Sequence, residues 1–205
     1  MQLRNCSALL PSLLSLLRAA CDSGKIGYKA VELCVCSVRN LCYSLQEVSD
    51  PAYEVRQHQQ QQHSIKPVLK IFGHAKSAKH KPDAVSVPDL SRDSTVALLW
   101  QPATITSILK LLRNSSNPVT LEAAAGTIQN LTAGDWTPSR LVRAEVRKQN
   151  GLQLLITLLK ASLEKISCAA ASALRNLTLE EETRQALGQH SLAFLLMIEL
   201  LSKKF

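Results

Sequence analysis

A short signature, Arg or Gln followed by Asn-Leu, closes three separate stretches of this chain and constrains its fold more than any other feature. It occurs as Val38-Arg39-Asn40-Leu41, Ile128-Gln129-Asn130-Leu131 and Leu174-Arg175-Asn176-Leu177. An apolar segment ending in Leu-Leu precedes each, at Leu16-Leu17, Leu111-Leu112 and Leu158-Leu159, and a fourth pair stands at Leu200-Leu201. From the second Leu to the following Asn is 23, 18 and 17 residues, and the last two Leu-Leu pairs are 42 residues apart. Such self-similarity means stacked units, because one unit cannot bury its apolar side alone.

The units are helical. Ala123-Ala124-Ala125-Gly126 and Cys168-Ala169-Ala170-Ala171-Ser172-Ala173 supply small side chains where neighbouring helices approach closely, and the branched residues around them fill the space between layers. Asn117 suits an N-cap, and Pro118 the first turn, where its missing N–H has no partner to lose. The composition agrees: 46 % apolar, 4 % aromatic and only seven glycines in 205 residues. Helices are expected at 7–20, 28–45, 102–113, 118–133, 137–149, 151–161, 163–178, 179–188 and 190–203. The repeat lies in the range of roughly 40 to 47 residues that armadillo and HEAT units occupy. The fold class expected is all-α, an armadillo-type right-handed helical solenoid with a long disordered insert. Residues 1–49 form a partial unit, 50–97 a low-complexity basic insert and 98–205 further units with the last incomplete, so the chain reads as a fragment or short isoform of a longer array.

Several motifs are more specific. Thr120-Leu121-Glu122-Ala123-Ala124-Ala125-Gly126-Thr127-Ile128-Gln129-Asn130-Leu131-Thr132-Ala133-Gly134-Asp135-Trp136 resembles the catenin-delta and plakophilin subfamily of armadillo proteins. So do the run from Arg140 to Leu152, the stretch Val31 to Leu41, Leu98-Leu99-Trp100-Gln101-Pro102 and Leu187-Gly188-Gln189-His190. The resemblance covers nearly everything outside about 50–95, and the subfamily carries an insert of variable length at that place. It implies a protein-binding scaffold at cell–cell junctions, cytoplasmic and in part nuclear. The expected partner is a cadherin cytoplasmic tail or another junctional protein, with a Rho-family GTPase or acidic lipid as a second contact. No small-molecule substrate is implied.

In armadillo folds the helix bearing these asparagines lines the concave groove, so Asn40, Asn130 and Asn176, with Arg39 and Arg175, are the candidate groove residues. A carboxamide both donates and accepts, so a ladder of them can pair with the main chain of an extended peptide; the competing role is to tie adjacent helices together. The cadherin contacts of the subfamily fall mostly in earlier repeats than those this chain resembles. Four residues before each Asn stand Cys36, Gly126 and Ser172, where nuclear-import adapters of this fold carry Trp. The missing indole faces argue against the alternative reading, a nuclear-transport or nucleic-acid-binding adapter, which the net charge of +8 otherwise favours.

The insert holds Gln57-His58-Gln59-Gln60-Gln61-Gln62-His63, then Lys66, Lys70, Lys76, Lys79 and Lys81, with six Lys/Arg and no Asp/Glu between Arg56 and Lys81. It cannot bury enough apolar surface to offset its ordering entropy. Those lysines are the candidate electrostatic contact. Its histidines lack Cys or carboxylate partners at ligand spacing, so no metal is expected.

Six cysteines lack C-x-x-C spacing and are read as buried thiols. The Leu-rich run after Arg4 has a leader-like composition but keeps the phase of the repeat, and is read as the first helix. Trp136 is expected to pack between units, and Arg140, Arg143, Arg147 and Lys148 to form a solvated basic helix face. No Gly-rich phosphate loop, H-E-x-x-H or nucleophile elbow occurs, so neither catalysis nor a cofactor is expected.

Overall fold

The computed structural model describes residues 6–49 and 95–189, together with Leu195, Met197, Ile198, Glu199 and Ser202, which are helical. Within these residues the chain forms α1 (Leu9–Asp22), α2 (Lys29–Leu41), α3 (Leu45–Ser49), a 3-10 helix (Thr95–Trp100), α4 (Pro102–Asn114), α5 (Pro118–Leu131), α6 (Thr137–Lys148), α7 (Gly151–Leu158), α8 (Glu164–Leu177) and α9 (Glu181–Gly188). No strand occurs among the described residues. The expected insert and its lysines Lys66, Lys70, Lys76, Lys79 and Lys81 lie outside them, except that the 3-10 helix begins at Thr95.

The architecture is the helical solenoid expected from the repeat. α2, α5 and α8 stack side by side in one layer, and α1, α4 and α7 stack behind them. Within each unit α1 pairs with α2, α4 with α5 and α7 with α8, while α6 crosses against α4 and α7.

The small-residue stripes explain the closeness of the inner layer. Ala123, Ala124, Ala125, Ala170, Ala171 and Ala173 are fully buried, and Val35, Val38, Ile128, Leu174 and Leu177 fill the gaps between layers. Behind them Leu17, Ile105, Ile108, Leu111 and Leu155 continue a single apolar core. Fully burying a side chain of this size stabilises by roughly 1.5–3 kcal/mol, so the repeat positions dominate the energetics.

Helix starts follow their local chemistry. Asn117 Oδ1 accepts from the amides of Val119 and Thr120 at 2.9 and 3.3 Å, with Pro118 in the first turn. Its Nδ2 donates to Glu32 of α2 at 2.9 Å, so the cap also joins two units. The helix expected over 28–45 is divided: Ser44 adopts a left-handed conformation (φ 49°), which ends α2 in a turn and redirects the chain into α3.

Candidate functional site

Along the inner layer runs a cleft of about 630 Å³ lined by Arg39, Asn40 and Tyr43 near the end of α2, Glu122, Gly126, Gln129 and Asn130 of α5, and Lys165, Cys168 and Ala169 of α8. A second pocket, about 260 Å³, adjoins it and shares Tyr43, Gln129 and Asn130. Its other walls include Gln46, Trp100, Trp136, Arg175 and Asn176. All five residues expected in the groove therefore come onto one face.

The asparagines form a regular ladder. Asn130 Nδ2 donates to the Arg39 carbonyl at 3.0 Å, and Asn176 Nδ2 donates to the Gln129 carbonyl at 2.8 Å. The second bond is the first translated by one unit, since Arg39 and Gln129 each precede an Asn of the repeat. Each tie uses one of the two N–H groups of a carboxamide and fixes the side chain, and at Asn176 the oxygen also accepts from Arg175 Nη2 at 3.4 Å. Asn40 is exposed, Asn130 half-buried and Asn176 buried.

Gly126 has a specific reason to lack a side chain. A Cβ there would stand 2.7 Å from Arg39 Cδ. The Arg39 chain crosses this gap and places Nη1 3.1 Å from Glu122 Oε1. The position that holds Trp in import adapters is thus covered by an arginine from the neighbouring helix, and its counterpart Ser172 is buried.

At the 260 Å³ pocket the two tryptophans meet edge to face, with ring centroids 5.8 Å apart and planes at 75°. Trp136 packs between units, as expected. Gly134 beside it has φ 75°, and a Cβ there would stand 2.2 Å from Gln46 Oε1, so the turn requires glycine.

The basic face expected on α6 takes a different form. Arg143 is buried, its Nε 2.7 Å from Glu180 Oε1 and its Nη1 donating to the carbonyls of Thr132 and Gly134 at 3.0 and 2.8 Å. Arg140 pairs with Asp135 at 2.7 Å, Arg147 approaches Glu182 at 3.9 Å, and Lys148 approaches Glu145 at 3.8 Å. Arg143 is therefore a clasp between the α5–α6 turn and the start of α9, because only a fully bonded guanidinium tolerates such burial.

The thiols are structural where buried. Cys34 donates to the Leu13 carbonyl at 3.1 Å, and burial pushes its pKa up to about 11. Burial also raises Cys21, whose Sγ lies 3.5 Å from the Ser107 carbonyl. Among the described residues no group of His, Cys, Asp and Glu is arranged to hold a metal, and no helix is long and apolar enough to cross a membrane.

Sequence reasoning singled out neither Glu122, Tyr43, Gln129 and Lys165 nor the part Trp100 plays in the pocket. One signal was present: eight residues before the first two repeat asparagines stand Glu32 and Glu122, and both carboxylates bridge α2 to α5.

The Armadillo/beta-catenin-like repeat family matches residues 139–179, the span from α6 to the turn after α8. Over 93 % of its length the chain is 32 % identical to human plakophilin-4 and 37 % identical to the juxtamembrane domain-associated catenin of Caenorhabditis elegans. It is also 36 % identical, over 93 % of its length, to the splicing regulator ARVCF of Rattus norvegicus. The chain belongs to the catenin-delta and plakophilin subfamily of armadillo-repeat proteins. It spans 17 %, 15 % and 21 % of the lengths of these three relatives. In this armadillo chain the asparagine-bearing helices α2, α5 and α8 form one layer, and the larger cleft is lined by residues of or next to all three.

Proposed function

We propose that this chain is a protein-binding scaffold of cell–cell junctions, whose inner cleft takes an extended segment such as the juxtamembrane part of a cadherin tail. The observation that carries the reading is the ordered ladder Asn40, Asn130 and Asn176 along one face, two of whose members are fixed by ties to neighbouring carbonyls. An immobilised carboxamide loses little further side-chain entropy when it pairs with a peptide main chain. Arg175 supplies positive charge on the same face, where Arg39 is paired with Glu122. One relative carries association with a juxtamembrane domain in its name. The basic lysines between Arg56 and Lys81 serve as a second, salt-sensitive contact with acidic lipid or a Rho-family GTPase.

The test is capture of the chain by an immobilised cadherin juxtamembrane peptide, repeated with residues 56–81 deleted. Capture retained on deletion supports the cleft as the site. No capture of the intact chain, together with salt-sensitive RNA binding, favours the nucleic-acid adapter instead.

A further inference from the structure

We propose that the pocket beside Trp100 and Trp136 anchors an aromatic side chain of an extended partner segment, next to an acidic residue that pairs with Arg175. The inference rests on the scaffold reading and specifies the chemistry of the segment that the cleft selects.

Size is the first argument. At about 260 Å³ the pocket falls below the volumes that hold drug-sized ligands but accommodates one large side chain. Its composition is the second. Two half-buried indoles in edge-to-face contact form one wall, and the exposed ring of Tyr43 stands at the junction with the larger cleft. Aromatic walls with a polar rim are the setting in which single aromatic anchors dominate an interface, because an entering ring both buries area and finds favourable edge and face geometry.

Charge decides what accompanies the ring. Arg39 is already held by Glu122 at 3.1 Å. Neither Lys165 nor Arg175 is in an ion pair among the described residues; Arg175 Nη2 makes a long hydrogen bond of 3.4 Å to the neighbouring Asn176 Oδ1, so both cations of the inner face can still take a carboxylate. Arg175 occupies the register position of Arg39, directly before the repeat asparagine, and Arg39 shows what that position does when a carboxylate comes within reach. Glu47 of α3 borders the pocket from a different element. An acidic neighbour of the anchor is therefore accepted on the α8 side and repelled on the α3 side, which fixes the direction of the segment.

The chain carries a built-in reporter, since its two tryptophans are Trp100 and Trp136. The probe is a short synthetic peptide of Gly and Ser bearing one phenylalanine with two aspartates on one side of it, titrated into the full chain while indole emission is recorded. The expected result is a saturable change in emission. Replacing the phenylalanine by alanine should weaken binding about tenfold or more, the cost typical of losing a buried aromatic anchor. Lysines in place of the aspartates should abolish binding. Arg175→Gln should weaken the acidic peptide several-fold while leaving the thermal midpoint unchanged, because Arg175 is exposed. Equal binding of the phenylalanine and alanine peptides, an unchanged affinity in Arg175→Gln, or no emission change overturns the proposal. A cadherin juxtamembrane peptide that binds without altering emission overturns the anchor and leaves the scaffold reading standing. Saturable binding of the phenylalanine peptide without capture by cadherin supports the anchor and sinks that choice of partner.

Discussion

The Asn130 side chain donates its amide N–H to the main-chain carbonyl of Arg39 across 3.0 Å, although 91 residues separate the two in sequence. Asn176 repeats the bond one unit later, on Gln129. The ladder thus joins the inner helices and equally presents the groove.

Removing a rung should destabilise the chain. Asn176→Ala removes this donor from the Gln129 carbonyl in a partly buried setting where Thr132 Oγ1 still donates at 3.3 Å, a loss of about 1 kcal/mol. Asn176→Asp should be worse, since a carboxylate facing a carbonyl cannot donate. Urea unfolding followed by circular dichroism checks the order wild type, Ala, Asp. An Asp variant as stable as wild type would contradict the tie.

Gly126→Ala sets two effects against each other. The Cβ displaces Arg39 and breaks its ion pair with Glu122, while alanine gains roughly 0.8–1 kcal/mol of helix propensity over glycine. The pair is partly exposed and adds at most about 1 kcal/mol. Gly126→Ala should therefore be close to neutral, and in an Arg39→Ala background distinctly stabilising. The difference between the two backgrounds, measured by thermal unfolding, is the coupling of Gly126 to Arg39.

Arg143 should be intolerant of change. Arg143→Ala strips donors from the Thr132 and Gly134 carbonyls and leaves Glu180 without its 2.7 Å partner, for a loss of about 3–5 kcal/mol. Arg143→Lys recovers only part, because an ammonium lacks the planar fork. Limited proteolysis should then cut the chain near Glu180 in Arg143→Ala before it cuts elsewhere.

Acid should loosen the contact between α2 and α5. The hydrogen bond from Lys29, then that from Asn117, holds the Glu32 carboxyl below the usual carboxylate range. A depressed folded-state pKa means the contribution is complete above the ordinary Glu value of about 4.3 and is lost as pH falls below it. Glu32→Gln should consequently show a shallower fall of melting temperature with acid than wild type. Parallel acid limbs would remove Glu32 from the account.

Thiol labelling should follow burial. Cys6 is exposed, whereas Cys34 and Cys42 are buried, with the Cys34 pKa at about 11. In mildly alkaline buffer a disulfide reagent should modify Cys6 quickly and reach Cys34 only on unfolding. Peptide mapping of the labelled chain distinguishes the two.

The sequence by itself determined the repeat, its register and most helix boundaries, because these rest on local chemistry: the Leu-Leu and Asn-Leu phases, the small-residue stripes, and Asn117-Pro118 at a helix start. It also placed Arg39, Asn40, Asn130, Arg175 and Asn176 on one face, since a fixed period carries equivalent positions to equivalent surfaces. Tertiary structure alone decided what those residues touch. That Asn130 is spent on Arg39, that Arg39 lies over Gly126 to reach Glu122, and that Trp100 meets Trp136 are pairings between units. So is the burial of Arg143, which on its own helix looks like one more surface cation. Periodicity fixes which face a side chain occupies, but the neighbour it meets there depends on how the layers stack, and that is set by packing across the whole array.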